Sequence, residues 1–378
     1  MWRVSLLLLL ASAVWGQEAH PILAPGSPAP DFALPGVDGK THRLADYGAS
    51  PILVVVFTCN HCPIAQMYER RIQQLEDDYH DRGVAVVAIQ PNAPRAIRID
   101  ELDCSDISDS LEEMKIRAVY KHLRYTYLYD GETQSVTRAY GPQATPHVFI
   151  FDKERKLRYE GGIDNSYRME LVKNQDARNA IEALLANQEV AVKHTGVLGC
   201  STKWLEKEAS RIEALRKIAE QPVNLEMATA ADLKKLRSTP PGHMLLVSFW
   251  ATWCGSCIDE FSDLQDTYQM YKDRELELIT VSVNMPDEKP SVLKMLERKR
   301  AVSRNLLFAS EDTASLQKAF DPEWGSEVPY TVLLDANGKV LYAKTGSVDI
   351  LDLRRTILEY VPSDYIGFNQ YWLAGQTR

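Results

Sequence analysis

The sequence predicts an α/β protein with two tandem domains, each a central mixed β-sheet flanked by helices. Three observations lead to this fold class. The length of 378 residues suits two domains. In each half, apolar β-branched runs alternate with segments of helical spacing, the pattern of strands joined by helices. Each half also has a Cys-x-x-Cys pair directly after such a run and, later, a proline before a predicted hairpin.

The first half contains the run Ile52 to Phe57, which is apolar throughout and therefore predicts a strand buried on both faces. Helical spacing predicts a helix over 63–82, and a second apolar run predicts a strand at 84–89. The remaining predicted elements are a helix at 109–122, a strand at 125–129, a short helix at 132–140, a hairpin of 147–152 with 156–160, and a helix at 167–187.

The second half repeats this plan, with Met244 to Trp250 as the buried strand and 255–271 as the helix that follows the cysteines. The two halves share this order without close sequence similarity, which indicates duplicated architecture. We expect a first domain at 25–190, a connection with a helix at 191–221, a second domain at 222–361, and a tail at 362–378 that packs on the last domain.

The N-terminus predicts a secretory signal peptide at residues 1–16. Met1 to Arg3 is a short positive segment, and Val4 to Val14 is apolar but too short to span a bilayer comfortably. Small residues at its end offer sites for signal peptidase, and an uncleaved anchor is the alternative. We therefore expect a periplasmic or secreted protein with no membrane span after signal cleavage.

Composition narrows the classes of function. The chain is 45% hydrophobic and 25% charged, its formal net charge is −9, and it has neither a basic stripe nor a Gly-rich phosphate loop. These features argue against nucleic acid or an anionic membrane as a partner. No bound cofactor is required, because six cysteines are available to carry redox chemistry.

Four of the cysteines form the two Cys-x-x-Cys pairs, Cys59 with Cys62 and Cys254 with Cys257. A thiol attacks a disulfide only as the thiolate, and a helix N-terminus lowers the pKa of a cysteine placed there. We therefore predict that all four are catalytic, with Cys254 and Cys59 as nucleophiles and Cys257 and Cys62 as resolving thiols.

Neighbouring residues modify these sites. His61 can stabilise a thiolate in the first pair, which makes its disulfide more oxidising, whereas the residues between the second pair are neutral. Trp253 is expected to pack at the second site and to shield Cys254. The two sites are therefore expected to differ in redox potential, with electrons passing from the second to the first.

Residues 240–360 resemble the thioredoxin-like domain of the TlpA/ResA group of extracytoplasmic thiol–disulfide oxidoreductases. The resemblance rests on Val247 to Cys257, on Glu260, and on Val328 to Thr331. It implies a thioredoxin fold, in which a cis-proline abuts the dithiol.

This resemblance identifies supporting residues in both halves. Pro146 and Pro329 are the expected cis-prolines. Cytoplasmic thioredoxins have an Asp in the strand where this chain has Ser248. The acceptor of the proton from the resolving thiol is therefore open, with Glu260 or water as candidates.

Residues 25–205 are similar to the redoxin (AhpC/TSA-like, peroxiredoxin-related) group. The motifs that carry the similarity are Gly26 to Phe32, Phe57 to Pro63, Thr145-Pro146, and Gly199 to Trp204. The similarity implies a thioredoxin fold with an N-terminal extension. It also raises an alternative function, a thiol peroxidase reduced by the second domain. Peroxiredoxins place a Thr three positions before the reactive Cys, and Thr58 does not have this spacing to either cysteine.

A second alternative is a copper-handling or metalloprotein-assembly protein. Cys59, His61 and Cys62 can hold Cu(I), a soft ion that favours thiolates. A single motif of this kind lacks a separate second ligand pair, which argues against zinc.

The remaining cysteines have several interpretations. Cys104 and Cys200 can form a stabilising disulfide, remain free, or relay electrons with the first dithiol. His147, which follows Pro146, is expected as a partly exposed strand residue rather than a catalyst.

These features together predict an extracytoplasmic enzyme, a thiol–disulfide oxidoreductase that acts in cell redox homeostasis. Its expected partners are protein thiols and disulfides, together with an extracytoplasmic or membrane electron donor.

Overall fold

The structure, a computed structural model, describes residues 20–238 and 242–361. The predicted signal peptide at 1–16 and the tail at 362–378 lie outside the described residues. Within the described ranges, the helices are all too short or too polar to cross a membrane.

The elements of the first half follow the predicted order, with shifts at their ends. Its helices are α1 (Pro63–Tyr79), α2 (Leu111–Tyr120), α3 (Ser135–Tyr140) and α4 (Asp176–Leu185). Its strands are β1 (Ala33–Pro35), β2 (Thr41–Arg43), β3 (Ile52–Phe57), β4 (Val84–Gln90), β5 (Thr126–Tyr129), β6 (Ala144–Thr145), β7 (His147–Phe151), β8 (Leu157–Gly161) and β9 (Cys200–Ser201).

A five-stranded mixed sheet, in the order β5-β4-β3-β7-β8, forms the centre of the first domain. β3, β4 and β5 are parallel, whereas β7 runs antiparallel to β3 and to β8. All residues of β3 are buried. Val54 and Val56 belong to one hydrophobic cluster and Val55 and Phe57 to another, so both faces of the sheet are covered. The cysteine pair therefore directly follows the fully buried central strand of the domain.

The second half has the same plan. Its helices, including α5 in the connection, are α5 (Glu208–Ala219), α6 (Ala230–Ser238), α7 (Gly255–Tyr271), α8 (Lys289–Arg298), α9 (Thr313–Phe320) and α10 (Ile350–Tyr360). Its strands are β10 (Glu226–Ala228), β11 (Met244–Trp250), β12 (Leu276–Ser282), β13 (Arg304–Phe308), β14 (Tyr330–Leu334) and β15 (Val340–Thr345).

The sheet of the second domain has the order β10-β13-β12-β11-β14-β15. The first four strands are parallel, and β14 is antiparallel to β11 and β15. In both domains the strand before the cysteines lies between a parallel and an antiparallel neighbour, and a helix follows the cysteines. The prediction of two tandem thioredoxin-like folds is confirmed.

The closing helix of the first domain is shorter than predicted. The apolar spacing predicts a helix over 167–187, but α4 begins at Asp176. Upstream, Oδ1 of Asn165 accepts hydrogen bonds from the backbone N–H groups of Lys173 and Asn174, at 2.9 and 3.0 Å. Such side-chain bonds to the backbone stabilise a loop in competition with a helical turn.

The connection at 191–221 is partly built into the first domain. β9 pairs antiparallel with β6, which places Cys200 opposite Thr145. Gly199 permits this close approach, because a Cβ at that position would lie 2.0 Å from the carbonyl oxygen of Thr145. The chain therefore returns to the first cysteine pair before it enters α5.

The two domains contact each other through the irregular segment 98–106 of the first domain. The Tyr271 hydroxyl on α7 donates a hydrogen bond to the carbonyl oxygen of Ser105 at 2.6 Å. Nε of Arg355 on α10 donates to Oδ2 of Asp106 at 2.8 Å. Apolar side chains of the same segment pack against the core of the second domain.

Candidate active site

The second cysteine pair has the predicted geometry. β11 ends at Trp250, and Cys254 is the N-cap of α7. The backbone N–H of Cys257 points at Sγ of Cys254 over 3.2 Å. The two cysteines are joined by a disulfide. A helix N-terminus therefore faces the sulfur of Cys254, which is the arrangement that stabilises a thiolate on reduction.

The surroundings of Cys254 differ from the prediction at one residue. Val328-Pro329 is a cis peptide bond, and Sγ of Cys254 lies 3.6 Å from the carbonyl oxygen of Val328. Trp250 is buried and packs edge-on against Phe261. The expectation that Trp253 packs over the cysteine is wrong, because 66% of this side chain is exposed. Trp253 instead gives the rim of the second site an apolar surface.

Glu260 lies three positions after Cys257 on α7 and is largely buried. Its Oε2 accepts the N–H of Val348 at 2.9 Å, while Oε1 is buried and has no hydrogen-bond partner in the described part of the chain. Burial raises the pKa of Glu260. Ser248, by contrast, is bonded to Thr331 across the sheet at 3.2 Å. Glu260 therefore has one unpartnered buried oxygen and a raised pKa, and it lies on the same helix as Cys257.

In the first cysteine pair the second cysteine, and not the first, caps the helix. α1 begins at Pro63, and its N-cap is Cys62, whose Sγ accepts the N–H of Ala65 at 3.5 Å. Thr145-Pro146 is a cis peptide bond, and Sγ of Cys62 lies 3.4 Å from the carbonyl oxygen of Thr145. By both criteria Cys62 is the structural counterpart of Cys254.

The prediction that Cys59 occupies the helix N-terminus is therefore wrong. Cys59 lies in the loop between β3 and α1, with its sulfur 3.1 Å from Oγ1 of Thr145. The sequence contains a residue that indicates where α1 begins. Proline is favoured at the first helical position and forces the preceding residue into an extended conformation, so Pro63 marks Cys62 as the N-cap.

The two thiols of the first site have opposite pKa shifts. Burial by itself would raise the pKa of Cys62, but hydrogen bonds from the thiols of Cys200 and Cys59 and the charge of His61 lower it well below its ordinary value. Burial, the hydrogen bond with Cys62 and the charge of Asp109 raise the pKa of Cys59. The two shifts favour ionisation of Cys62 over ionisation of Cys59.

His61 is held by Asp109, a residue that sequence reasoning missed. Asp109 is fully buried and accepts hydrogen bonds from Nδ1 of His61 at 2.7 Å and from its backbone N–H at 3.0 Å. The backbone N–H of Asn60 and the side-chain amide of Asn92 complete the set, at 2.9 and 2.8 Å. Burial alone would lower the pKa of His61, but Asp109 raises it above its ordinary value. Asp109 comes from the loop before α2, and no local pattern marks it.

The same residues can be considered as metal ligands. Cys59, His61 and Asp109 each offer one ligand atom, and these atoms lie within 4.8 Å of one another. This group differs from the predicted copper set, in which Cys62 stands in place of Asp109. Nε2 of His61 is buried and has no hydrogen-bond partner among the described residues. Asp109 already accepts four hydrogen bonds, and the sulfur of Cys59 contacts Oγ1 of Thr145, so Nε2 of His61 is the unpartnered ligand atom of the three residues. A thiolate and an imidazole suit a soft ion.

Cys104 and Cys200 are both free thiols in this structure. Cys104 is buried in the segment between the domains, and burial raises its pKa to about 12. Cys200 is only partly buried, and its backbone N–H points at Sγ of Cys62 over 3.4 Å. Of the two, Cys200 therefore belongs to the first site.

His147 is fully buried, not partly exposed as predicted. Its Nδ1 accepts the N–H of Gln143 at 3.2 Å, and its Nε2 donates to Glu160 at 2.9 Å. Burial lowers the pKa of His147. The residue is a neutral link between the loop before β6 and the strand β8.

Two family models match the chain. Residues 25–160 match the AhpC/TSA family, and residues 218–356 match Redoxin. Each model therefore covers one of the two thioredoxin-like domains, in agreement with the families that the sequence motifs suggest.

Some curated relatives are thiol-disulfide oxidoreductases by name, and others, from Mycobacterium tuberculosis, are named putative peroxiredoxins and are 27% identical over 142 residues, 33% of this chain and 90% of the relative. The ResA protein of Geobacillus kaustophilus is 29% identical over 121 residues, which are 32% of this chain and 65% of the relative. The ResA protein of Geobacillus thermodenitrificans is 28% identical over 165 residues, 42% of this chain and 83% of the relative. The chain thus spans about two thirds of the first ResA protein's length and four fifths of the second's.

Solved structures are similar as well. The crystal structure of a hypothetical protein from Sinorhizobium meliloti has 33% sequence identity and a TM-score of 0.43, and the match covers 49% of this chain and 96% of that chain.

Proposed function

We propose that this chain, which joins an AhpC/TSA-family domain to a redoxin domain, is a thiol–disulfide oxidoreductase that acts on protein thiols through two Cys-x-x-Cys sites. One observation carries the proposal. In each domain a cysteine caps the helix after the central strand, and its sulfur faces the carbonyl oxygen before a cis-proline. This arrangement stabilises a thiolate in both domains. In the first domain the residue before the cis-proline, Thr145, is already paired with Cys200 of β9.

At the second site the exchange follows from the geometry. The Cys254 thiolate attacks one sulfur of a substrate disulfide, the substrate S–S bond breaks, and a mixed disulfide forms while the other substrate sulfur leaves as a thiolate. Cys257, after it loses its proton, attacks Sγ of Cys254 and expels the second substrate sulfur as a thiolate, and the two substrate thiolates take up protons from solvent. Glu260 is the group that takes the proton from Cys257, since its Oε1 is buried without a partner among the described residues. The enzyme ends with the Cys254–Cys257 disulfide, and the substrate gains two electrons.

The first site performs the same exchange with reversed roles. Cys62 carries the charge, and Cys59 closes the disulfide. Because the Cys62 thiolate is stabilised by its neighbours, the reduced form of this pair is favoured. We therefore propose that the first disulfide is the more oxidising one and that electrons pass from the second site to the first. A difference of 30 mV corresponds to about 1.4 kcal/mol.

Activity assays on the full chain test this function. Insulin reduction is expected to fall at least about tenfold in Cys254→Ser. The redox potential of each pair is measured with the other pair replaced by serine, by equilibration with glutathione. Insulin reduction that is unchanged in Cys254→Ser would overturn the activity, and equal or reversed potentials would overturn the direction.

A thiol peroxidase with antioxidant activity is the second candidate. The AhpC/TSA match and the low pKa of Cys62 at a helix N-terminus both favour it. Hydrogen peroxide consumption that is lost in Cys62→Ser but retained in Cys59→Ser, with electrons supplied through Cys254, is the expected signature. Consumption at the level of free cysteine in the intact protein rules this candidate out.

We further propose that the protein acts outside the cytoplasm, with protein thiols and disulfides as substrates and an extracytoplasmic or membrane electron donor. The charged and apolar pattern of residues 1–16 supports export. N-terminal sequencing of the exported protein is expected to begin at Gln17. A mature chain that retains Met1 would contradict cleavage of the signal peptide.

A further inference from the structure

Both cysteines of the first pair are shielded from solvent. Cys59 is 2% exposed and Cys62 is fully buried, whereas Cys254 of the second site is 8% exposed beside the open Trp253. Thiol–disulfide exchange requires direct approach of one sulfur to another. A folded protein substrate therefore lacks a route to Cys62 in this arrangement.

A third sulfur lies between the buried pair and the surface. Cys200 packs against the small cluster formed by Cys59, Cys62 and Ala65, and it is only partly buried. Its backbone N–H points at Sγ of Cys62 over 3.4 Å. The Cys62 sulfur thus has two thiol neighbours, the buried Cys59 and the more exposed Cys200.

The fold fixes Cys200 at this position. β9 is paired with β6, so Cys200 lies opposite Thr145, whose carbonyl oxygen and Oγ1 contact the sulfurs of Cys62 and Cys59. Gly199 allows the two backbones to meet closely. Strand pairing therefore holds Cys200 close to Cys62.

We propose that Cys200 is the surface thiol through which the buried Cys59–Cys62 pair exchanges electrons with protein substrates. The inference rests on the proposed oxidoreductase function and assigns a third redox-active cysteine to the first site.

The relay conserves atoms and electrons at every step. In the oxidised site, the Cys200 thiolate attacks Sγ of Cys62, the Cys62–Cys200 disulfide forms, and Cys59 leaves as a thiolate that takes the proton lost by Cys200. A substrate thiolate then attacks Sγ of Cys200, which forms a mixed disulfide and releases the Cys62 thiolate. A second substrate thiol displaces Cys200. The substrate dithiol has become a disulfide, and Cys59 and Cys62 have been reduced.

The properties of Cys62 suit the central position in this relay. A sulfur with a low pKa is a good leaving group in thiol–disulfide exchange, and the pKa of Cys62 is lowered by its thiol neighbours and by His61, despite its burial. The hydrogen bond with Cys62 and burial raise the pKa of Cys200 in the reduced site. The negative charge therefore rests on Cys62 once the exchange is complete, and Cys200 returns to the thiol form.

Disulfide mapping of the full chain tests the relay. Cys254 and Cys257 are replaced by serine, so that only the first site reacts, and Cys59→Ser is added. After oxidation with glutathione disulfide, mass spectrometry is expected to find Cys62 joined to Cys200. Absence of that disulfide would overturn the proposal, and this variant keeps both sulfurs of the proposed bond.

The rate at which an added peptide thiol forms a mixed disulfide with the first site also tests the relay. A peptide with one reduced cysteine is added to the oxidised first site in the Cys254/Cys257 double-serine background. Cys200→Ser is expected to slow formation of the mixed disulfide at least about tenfold, whereas Cys104→Ser, the matched control, is expected to change it less than about twofold. Circular dichroism and a count of free thiols verify that both variants enter the assay folded and oxidised.

The outcomes separate this inference from the proposed function. An unchanged rate in Cys200→Ser would overturn the relay while leaving insulin reduction by Cys254 and Cys257 intact. If the intact protein does not reduce insulin but the Cys62–Cys200 disulfide is found, the relay stands and the proposed function of the second site is overturned.

Discussion

At the residue scale, the two dithiols differ in which cysteine meets the helix. Cys254 caps α7 as the first member of its pair, whereas Cys62 caps α1 as the second member of its pair. The cause is local, because Pro63 starts α1 directly after Cys62 and the second pair has no proline at that point. The cysteine that caps the helix is therefore set by the helix start and not by the order of the two cysteines.

We expect this difference to be visible in thiolate absorbance. In a background without Cys104, Cys254 and Cys257, the Cys59→Ser variant should retain absorbance at 240 nm at neutral pH. The Cys62→Ser variant should gain it only above about pH 8.5, the ordinary range of a free cysteine. A titration from pH 4 to 10 measures both midpoints. Equal midpoints would show that the helix start does not control the charge.

The buried pair of His61 and Asp109 should make stability depend on pH. Burial opposes both charges, but their contact leaves the pKa of His61 above its ordinary 6.5 and that of Asp109 below its ordinary 3.8. The His61 contribution is complete below pH 6.5 and is lost as the pH rises through the folded value. The Asp109 contribution is present above pH 3.8 and is lost as the pH falls through the folded value. The first domain is therefore expected to be most stable between about pH 4 and 6.5.

The variant Asp109→Asn is expected to lose about 3–5 kcal/mol of unfolding free energy, because it leaves a buried imidazolium without its partner. Its urea midpoint should also vary less between pH 5 and 9 than that of the unmodified chain. Asp77→Asn is the matched control, since Asp77 forms an exposed pair with Arg124 and no measurable change is expected. A wild-type-like pH profile in Asp109→Asn would contradict the assignment.

At the element scale, the β6–β9 pair determines whether the first site has two sulfurs or three. These are two-residue strands, and one of them belongs to the connection between the domains. Their pairing depends on Gly199, where a Cβ would meet the carbonyl oxygen of Thr145 at 2.0 Å. The position of Cys200 is consequently sensitive to a single methyl group on this short strand pair.

The variant Gly199→Ala is expected to destabilise the first domain by roughly 1–3 kcal/mol, the usual cost of an added group in a closed contact. It should also raise the pKa of Cys62, because Cys200 moves away. Urea unfolding and absorbance at 240 nm measure the two effects. Gly196→Ala is the control, since a Cβ there has nothing within 4 Å. Equal behaviour of the two variants would contradict the role of the strand pair.

At the scale of the whole molecule, segment 98–106 joins the two domains. Asp106 is buried, and it bonds Arg355 of α10 while lying 3.7 Å from Arg117 of α2. This carboxylate therefore connects one helix of each domain. We expect this buried carboxylate to couple the unfolding of the two domains, because separation of the domains would leave the charge of Arg117 or Arg355 without it.

Removal of this carboxylate should uncouple the domains. Asp106→Asn is expected to cost about 3 kcal/mol, since two arginines lose a buried partner. Differential scanning calorimetry should show one transition for the unmodified chain and two for the variant. Asp100→Asn, at an exposed pair with Arg98 in the same segment, should leave one transition. Two transitions already present in the unmodified chain would contradict the coupling.

Features that depend on residues close together in the sequence were predicted correctly more often than features that depend on distant residues. The alternation of strands and helices along the chain follows from apolar runs of a few residues. The two cis-prolines were expected from the repeated motifs and from the thioredoxin fold that these motifs imply. Pro63 alone could have identified Cys62 as the N-cap of α1, but the similarity of the two Cys-x-x-Cys motifs suggested Cys59 as the cysteine at the helix N-terminus. The exposure of Trp253 was not readable, because it depends on what lies around the loop.

The sequence by itself determined two α/β domains, each with a dithiol after its central strand, because periodicity and turn chemistry act over short stretches of chain. The resemblance of the motifs to known families implied the thioredoxin fold of both domains. Only the tertiary structure decided which thiol of the first pair is charged and which residues control it. Asp109 reaches His61 from 48 positions away, and Cys200 reaches Cys62 from 138. Such contacts form when distant segments pack against one sheet, and they leave no pattern in either segment alone.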